Sequence, residues 1–280
     1  MLLVMDVGGS TTKVVGCTPQ GKIIDTLQME TAAPVETMRA ALAAFLRRTG
    51  KRREEIEEVV LTGVGASFLD GALEGLPTSR VEELTAIGRG GLVVSGLREA
   101  LVVSMGTGTA FVHASPGKAV HLGGSGLGGG TLRGLASRLL GEDDARQVLA
   151  LAQAGDLRRV DLQMRDICRE AAPTLPPDLT ASNFGKLAAG ATDADVALGL
   201  VHMLLENIGV FAVLACRGAG LTDAVCTGSF AGAPQAQTVF SQMQALFGVR
   251  FHLPADAAFA TALGAVALRR EAPDGARLWL

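Results

Sequence analysis

The stretch Asp6-Val7-Gly8-Gly9-Ser10-Thr11-Thr12-Lys13 decides the fold of this chain. It follows the apolar run Leu2-Leu3-Val4-Met5 and leads directly into Val14-Val15. This order predicts a strand, a tight turn and a second strand, which together form a hairpin. A hairpin excludes the Walker loop and the dinucleotide fingerprint, because each of those loops opens a helix.

The residue types in this hairpin favour an anion, and phosphate in particular. Glycine lets backbone N–H groups approach a ligand closely, and the hydroxyl groups add donors. Lys13 adds positive charge, and Asp6 at the strand end is predicted to hold magnesium through water, because magnesium gives up its waters reluctantly. Taken alone, the hairpin leaves open a glycine-rich turn without a ligand. The nucleotide-binding residues predicted here are Gly8, Gly9, Ser10, Thr11, Thr12 and Lys13.

A second stretch repeats the same order about a hundred residues later. The turn Gly106-Thr107-Gly108-Thr109 lies between the apolar runs Val102-Val103 and Phe111-Val112. Two such hairpins indicate two similar halves that face one phosphate chain, with Thr107 as the contact from the second half. This arrangement resembles the actin-like kinase and ATPase fold. The resemblance implies two domains that close on ATP, with one hairpin from each gripping the phosphates.

Composition narrows the class of protein. The 280 residues suffice for two domains of ordinary size, and a formal net charge of -3 argues against a nucleic-acid partner. Cysteines are few and widely spaced, which favours reduced thiols over a metal cluster or a disulfide framework. No signal-peptide pattern is visible, and the apolar stretch 208–216 is too short to span a bilayer. We therefore expect a soluble, cytoplasmic protein.

Proline, glycine and polar residues between the apolar runs predict where the other helices and strands begin and end. Pro34 opens a helix that runs through residue 48 and closes at Gly50. A strand at residues 59–61 ends in Thr62-Gly63-Val64-Gly65, at the edge where α/β sheets bind ligands. Another helix begins at Glu82 and runs to about residue 97.

In the second half a glycine run precedes a helix. Residues 123–131 are followed by a helix to about residue 140, so the last N–H groups of the run form an anion site at a helix start. Gly129, Gly130 and Thr131 are the predicted contacts, and Arg133 adds a cation. A long apolar helix follows at residues 195–217, then a strand ending in Thr227-Gly228-Ser229-Phe230.

The order β-β-β-α-β-α occurs twice, which predicts an α/β protein of two actin-like (ribonuclease H-like) domains with an ATP cleft between them. We place the N-terminal domain at residues 1–98. The C-terminal domain is expected at residues 99–280, with a helical insertion around 143–191.

Taken together, the motifs resemble the type II pantothenate kinases over essentially the whole chain. The resemblance implies transfer of the ATP γ-phosphate to the primary hydroxyl of pantothenate, the first step of coenzyme A synthesis, and a homodimer. It also implies that Ser229 contacts ATP. The matching segments are the first hairpin, the 106–109 turn, the 123–131 loop, Gly155-Asp156 with Asp161, Arg165-Asp166-Ile167, Asp178–Gly185 and Thr227–Phe230.

Phosphoryl transfer needs one group that accepts the proton of the attacking hydroxyl. Glu82 and Glu83 lie where a strand gives way to a helix, and a carboxylate there suits the role. Counting back from Arg89-Gly90, the resemblance assigns the catalytic glutamate to Glu83, which also contacts the acceptor. Alternatively, both glutamates only complement the helix dipole.

The acceptor side departs from the family pattern at two positions. His121 stands where the family carries an arginine for the pantothenate carboxylate, and Ala110 stands where a serine is common. A histidine carries only part of a charge near neutral pH, so we expect a raised KM for pantothenate. Three other functions remain open at this point: an actin-like ATPase acting on a partner protein, a kinase for another hydroxy compound, and a non-catalytic nucleotide-binding regulator.

Overall fold

The computed structural model describes residues 1–168 and 175–272 of the chain, and two five-stranded sheets form its framework. The first sheet has the order β3-β2-β1-β4-β5, and the second has the order β12-β11-β6-β7-β8. Each sheet combines an antiparallel three-strand meander with parallel strands at one side. The predicted α/β class with an actin-like fold is confirmed.

The first half contains five strands and two helices within residues 2–95. Apolar side chains alternate between the two faces of the central strand, and the largest of them pack under the first helix. That helix begins at Pro34 and ends before Gly50, as predicted, because Gly50 adopts the left-handed conformation that closes a helix. The elements are β1 (Leu2–Val7), β2 (Thr11–Cys17), β3 (Ile23–Glu30), α1 (Pro34–Thr49), β4 (Glu58–Thr62), β5 (Thr78–Arg80) and α2 (Glu83–Ser95).

The second half repeats this order with an insertion between its third strand and its next parallel strand. Its sheet and the long helix α6 enclose the largest core cluster of the described residues. The elements are β6 (Ala100–Met105), β7 (Thr109–Ser115), β8 (Lys118–Ser125), α3 (Gly129–Leu140), α4 (Ala145–Leu151), β9 (Leu162–Gln163), α5 (Met164–Ile167), β10 (Thr180–Ser182), α6 (Asp193–Ala219), β11 (Asp223–Thr227), α7 (Ala236–Phe247), β12 (Arg250–His252) and α8 (Ala260–Glu271).

The inserted segment differs from the all-helical prediction. It contains the short antiparallel pair β9–β10 as well as helices, and the buried carboxylate of Asp161 holds this pair in place. Asp161 accepts hydrogen bonds from the Thr180 hydroxyl and the Phe184 N–H. Strands of two and three residues carry too little periodicity to be predicted from sequence.

Helix α6 is longer than the apolar stretch seen in the sequence. At 27 residues it is long and apolar enough to cross a membrane. The shortness of the apolar stretch 208–216 therefore does not exclude a membrane-spanning helix. Its packing supplies a different explanation for its composition, because 61% of its most apolar window is buried inside the protein. Leu200, Leu204 and Ile208 face the core of the second half. The helix therefore packs as the core helix of the second half.

Two helices exchange places between the halves. Helix α2 leaves the first sheet and packs on Val102 and Val112 of the second, whereas α8 leaves the second sheet and packs on β1 and β2 of the first. The helices cross in close contact: a side chain at Gly90 would overlap the carbonyl group of Ala260, and one at Gly264 would overlap that of Ala86. The two halves are therefore joined by a tight crossing of helices. The division of the chain at residues 98 and 99 stays a prediction.

Candidate active site

Three polar side chains form a row across neighbouring strands of the first sheet. Asp6 on β1 lies opposite Lys13 on β2 and opposite Thr62 on β4. All three are buried, with relative exposures of 7%, 6% and 1%. Residues paired in register point to the same face of a sheet, so the three side chains form one polar strip. We call them the Lys13–Asp6–Thr62 row.

The Asp6 carboxylate is only partly neutralised. Burial raises the pKa of Asp6 above its usual range, and the attraction of Lys13 offsets this rise in part. The Lys13 Nζ lies 3.8 Å from the Asp6 Oδ2, which is longer than a hydrogen bond, so the attraction is mainly Coulombic. A buried carboxylate with one distant cation suits a further positive group beside it.

The two glutamates at the start of α2 have different roles. Glu82 is the N-cap of the helix, and its carboxylate accepts hydrogen bonds from the N–H groups of Leu84 (2.9 Å) and Thr85 (2.6 Å) and from the Thr85 hydroxyl (2.7 Å). Burial acts to raise the pKa of Glu82, but these hydrogen bonds together hold it below its usual range. Glu82 is thereby accounted for as a capping residue.

Glu83 has no such capping role, and its environment differs. Burial, followed by repulsion from Asp6 and Glu82, raises the pKa of Glu83 to about 7, while Lys13 and the Val64 N–H oppose the rise. Glu83 is therefore near the charges of the Lys13–Asp6–Thr62 row. A carboxyl group with a pKa near neutrality is matched to general base chemistry at physiological pH. Of the two predicted candidates, Glu83 is the one without a capping role, and its assignment as the base stays a prediction.

The tips of the two hairpins meet. The Ser10 hydroxyl lies 2.9 Å from the Thr107 hydroxyl, and a side chain at Gly9 would contact Thr107. The predicted pairing of one hairpin from each half is thus present in the fold. Thr12 lies elsewhere: its hydroxyl bonds to Thr31 at 2.8 Å and its side chain is fully buried, so it offers no donor to a ligand in this arrangement.

The glycine run of the second half packs against the second hairpin. The N–H of Gly129 donates to the Gly106 carbonyl and the N–H of Gly130 donates to the Thr107 carbonyl, both at 2.9 Å. The Thr131 hydroxyl donates to the Gly126 carbonyl at 2.6 Å. These donors are already engaged, so their direct contact with phosphate requires a rearrangement of the run.

Arg133 lies exposed four residues after the start of α3, with 54% of its side chain accessible, and it faces Asp143 at 3.8 Å. A long exposed arginine of this kind can change rotamer at little cost. The predicted cation is therefore present at the helix start, but the structure does not hold it in contact with the hairpin tips.

Matching Thr-Gly turns end the parallel strands of the two halves. Gly63 after β4 and Gly228 after β11 have φ angles of +89° and +85°, and a side chain at either would overlap the end of the neighbouring strand. Only glycine fits such a conformation without strain. The preceding Thr62 and Thr227 hydroxyls are buried without a hydrogen-bond partner among the described residues, as is the Ser229 hydroxyl. Buried hydroxyls without a partner are uncommon in native proteins, so we expect water or a bound ligand to supply the partners of these three.

The predicted acceptor residues lie on the strands of the second hairpin. Ala110 on β7 pairs with Gly124 on β8, and His121 is exposed on β8 beside a bulge. His121 is near enough to Glu82 to help lower the pKa of that carboxylate. The fold therefore brings His121 to the start of α2, where Glu83 also lies.

Whether the site fits a magnesium ion depends on the donor atoms that the fold supplies. Within residues 1–168 and 175–272, no group of three or more His, Cys, Asp or Glu side chains is placed to hold a metal ion. Asp6 is a single buried carboxylate at the tip of the first sheet. This set fits an ion whose other ligands are water and phosphate oxygens, which is the coordination magnesium commonly has with nucleotides.

The sequence placed the Thr62–Gly65 turn at the ligand-binding edge of the sheet, but Thr62 was not named as a site residue although a signal for it existed. Thr62-Gly63 and Thr227-Gly228 end equivalent strands, so the repeat itself marked both threonines. The contact between Val64 and Glu83 carried no such signal, because it depends on how β4 and α2 meet in space.

Comparison with known proteins agrees with this geometry. A sequence model of the Fumble family matches residues 99–250, which is more than half of the chain. The type II pantothenate kinase of Staphylococcus aureus strain USA300 is 28% identical over 228 residues, covering 78% of this chain and 85% of the relative. The enzyme of strain MRSA252 is 28% identical over 226 residues, covering 77% and 84%.

Solved structures share the fold at low sequence identity. The activator of the 2-hydroxyisocaproyl-CoA dehydratase from Clostridium difficile, with bound ADPNP, has a TM-score of 0.67 and 14% identity, covering 95% of this chain and 92% of its own. The ROK hexokinase from Thermus thermophilus has a TM-score of 0.54 and 16% identity, covering 95% and 97%. Together with the family match, the fold and the motifs lead to one assignment. The chain belongs to the Fumble family, the family of type II pantothenate kinases.

Proposed function

We propose that this protein is a kinase that transfers the γ-phosphate of ATP to the primary hydroxyl of pantothenate, the first step of coenzyme A synthesis. The observation that carries the proposal is the position of Glu83. Its carboxyl group has a pKa of about 7, and it lies at the start of α2 within the influence of Asp6 and Lys13. The family match supplies the substrate class, and the site supplies the chemistry.

The reaction step assigned to this chain is a proton transfer. Glu83, in its carboxylate form, accepts the proton of the pantothenate hydroxyl as that oxygen attacks the γ-phosphorus, and the bond to the ADP oxygen breaks. Lys13 offsets the negative charge that builds up on the phosphate oxygens. Magnesium, when bound with the nucleotide near Asp6, supplies further charge neutralisation.

Positioning of ATP is assigned to both hairpins. The Ser10–Thr107 contact places one donor from each half at the same point, so both hydroxyls would serve phosphates bound where the two tips meet. In the first half, Lys13 and the backbone of Gly8 and Gly9 are the proposed phosphate contacts. Further proposed contacts are Thr11, Gly129, Gly130, Thr131, Arg133 and Ser229, of which Ser229 has an unpaired buried hydroxyl that supports its assignment. Thr12 is left out because its buried hydroxyl is bonded to Thr31.

The acceptor contact is the weakest part of the family pattern in this chain. His121 lies where an arginine is expected, and its exposure on β8 leaves room for a carboxylate beside it. Losing one charge-assisted hydrogen bond costs about 1.5–3 kcal/mol, or roughly ten- to a hundredfold in affinity. We propose that pantothenate is the acceptor and that its KM is raised. Because His121 replaces the arginine of the family pattern, a related hydroxy compound is the second candidate acceptor.

A phosphorylation screen tests the proposal. Pantothenate, pantetheine, pantoate and simple sugars are each offered with magnesium and ATP, and ADP formation is measured with and without acceptor. The proposed kinase produces ADP only with pantothenate or a close relative. ADP formation without any acceptor indicates an ATPase, and turnover of a sugar alone leaves only the fold in common with the family.

Three broader assignments complete the proposal. The domains divide at residues 98 and 99, the enzyme works in the cytoplasm, and it forms a homodimer. The exposed apolar side chains Val210, Phe211 and Leu214 on α6 support a protein contact on that helix. Light scattering on the purified chain and on Leu214→Glu measures the oligomeric state, and a monomer for both contradicts the dimer.

A further inference from the structure

A groove separates the two halves on the side away from the hairpin tips. It consists of two adjoining cavities of about 540 Å³ and about 310 Å³. The β2–β3 turn at Gly21 lies on one side, and the β7–β8 turn at residues 115–117 lies on the other. Arg89 of α2 and Glu271 of α8 line both cavities, so we treat them as one feature, the rear groove.

The rear groove is distinct from the phosphate site. The hairpin tip at Gly9 and the turn at Gly21 lie at opposite ends of β2. The seven residues of that strand span about 20 Å. A ligand in the groove therefore does not occupy the site between the hairpin tips.

The lining of the groove specifies a kind of ligand. Val93, Leu263 and Val266 supply an apolar wall, and three arginines stand around it against one glutamate. Apolar walls with guanidinium groups match a molecule that has an apolar body and an anionic end, because a guanidinium binds carboxylate, sulfate or phosphate through paired hydrogen bonds. The cavity volumes lie in the range of small-molecule sites. The arginines are Arg89, Arg98 and Arg270.

The charged groups are arranged so that an anion has a place to bind. Arg89 forms an ion pair with Glu271 between the two cavities, and the two side chains are 35% and 55% exposed. An exposed ion pair of this kind is weak, so an incoming anion can replace Glu271 on Arg89. The turn at Gly21 packs directly on the Arg270 guanidinium, where any side chain would collide with it. Arg270 is thereby placed beside the apolar wall.

The groove is connected to the catalytic carboxylate by a single helix. Arg89 follows Glu83 by six residues on α2, a distance of about 9 Å along the axis. The next residue, Gly90, is at the crossing with α8. A ligand that joins the middle of α2, beside this crossing, to the C-terminal end of α8 therefore fixes the angle between the two halves, and closure of the halves on ATP needs that angle to change.

We propose that the rear groove binds an amphipathic organic anion, and that its occupation lowers turnover by restraining the crossing of α2 and α8. The binding part stands on the groove alone. The effect on turnover rests on the proposed kinase function.

Calorimetric titration of the full chain with octanoate tests the binding part, with 1-octanol as the uncharged control. We expect saturable binding of octanoate at one site per chain and at least tenfold weaker binding of 1-octanol. Arg89→Gln and Arg270→Gln should each weaken octanoate binding by about tenfold. Arg146→Gln, an equally conservative change at an arginine 87% exposed and outside the groove, should leave it unchanged.

A variant of the apolar wall guards against an indirect effect of the arginine changes. Val93→Glu places a negative charge in the groove at a side chain that is 42% exposed, so it should preserve folding and weaken octanoate binding by tenfold or more. Equal binding of octanoate and 1-octanol, or octanoate binding that survives both Arg89→Gln and Val93→Glu, overturns the site. Strictly competitive displacement of octanoate by an ATP analogue or by pantothenate, with no complex that holds both ligands, also overturns it.

Kinetics then separate the two parts. Octanoate should lower kcat, any rise in the KM for ATP should level off once octanoate saturates the groove, and Arg89→Gln should remove this inhibition. Binding without any effect on kcat overturns the regulatory part. A chain that binds octanoate with the expected arginine dependence but phosphorylates no acceptor overturns the proposed kinase function and leaves the binding site standing.

Discussion

The two halves share a scaffold and differ in charge. In the first half, the position opposite Asp6 on the hairpin is Lys13 and the position on the parallel strand is Thr62. In the second half, the equivalent row on β7, β6 and β11 is Ala110, Ser104 and Thr227. The threonine is thus retained in both halves, whereas the lysine and the aspartate occur in one.

This difference indicates that the two halves of a repeated fold have different roles at the site. The hairpin tips and the Thr-Gly turns are alike because both halves have to approach one phosphate chain closely. Of the two rows, the first alone carries ionisable groups, and it lies near Glu83 at the start of α2. Charge chemistry is therefore expected to depend on the first row, and the second row is expected to contribute shape and neutral hydrogen bonds.

The largest expected effect comes from Glu83, the proposed base. Glu83→Gln should lower turnover by roughly 100-fold or more while ATP binding stays near normal, because it removes the proton acceptor and keeps the shape. Steady-state kinetics with pantothenate and a nucleotide-binding titration measure the two quantities. Glu82→Gln is the matched control one residue away and should be mild in turnover. The reverse result, an inactive Glu82→Gln and an active Glu83→Gln, contradicts the assignment.

The next effect compares the central residues of the two rows. Asp6→Asn should reduce kcat/KM by roughly 10- to 100-fold and raise the magnesium concentration needed for half-maximal rate, because a charged contact is lost. Ser104→Ala changes the equivalent position of the second half and should stay within about threefold, since it removes a neutral contact at most. Magnesium titrations of both variants provide the data. Equal losses in the two variants would mean that the halves share the charge chemistry.

A smaller effect is expected on the acceptor side. His121→Arg should lower the KM for pantothenate by about tenfold near pH 8, because arginine supplies a permanent charge and a two-pronged contact. Val120→Arg, which places the same charge on the opposite face of β8, should leave the KM unchanged. A KM that responds equally to both arginines indicates a general charge effect.

The smallest effect is in stability, and the two glutamates should differ in its sign. The pKa of Glu83 is raised from 4.5 to about 7 in the folded protein, so the folded state holds this proton more tightly. The stabilisation is complete below about pH 4.5 and is lost as the pH rises through about 7. Glu83→Gln should therefore be more stable than the parent at pH 8, by about 1–2 kcal/mol after allowance for solvent screening.

Urea unfolding at pH 5 and pH 8 measures this difference. Glu82→Gln loses a cap carboxylate and should be less stable by about 1 kcal/mol at pH 8. If Glu83→Gln is destabilised at pH 8 to the same extent as Glu82→Gln, Glu83 is a structural residue of the helix start rather than a strained carboxyl group.

Much of the fold could be predicted because its signals are local. The hairpin at Asp6–Lys13, the helix from Pro34 to Gly50 and the repeat at residue 102 all follow from strand periodicity, proline and glycine. The position of Lys13 next to Asp6 also follows from the hairpin pattern. These elements carry their information within about fifteen residues.

The rest depends on contacts between distant segments. The exchange of α2 and α8 between the halves cannot be predicted from either helix alone, because an apolar face does not indicate which sheet the helix packs on. The engaged N–H groups of Gly129 and Gly130 follow from the position of the second hairpin. Whether Glu82 or Glu83 caps the helix was decided by backbone geometry at a single residue.

The pH dependence of kcat/KM for pantothenate tests the central claim most directly, since it reports the ionisation of the base in the free enzyme. The account predicts that log kcat/KM rises with pH and levels off near pH 7, where Glu83 loses its proton. In Glu83→Gln this step should disappear from the residual activity, and in Glu82→Gln it should remain. A step that persists in Glu83→Gln, or a parent enzyme whose kcat/KM is constant between pH 5.5 and pH 8.5, would contradict the assignment of Glu83 as the base.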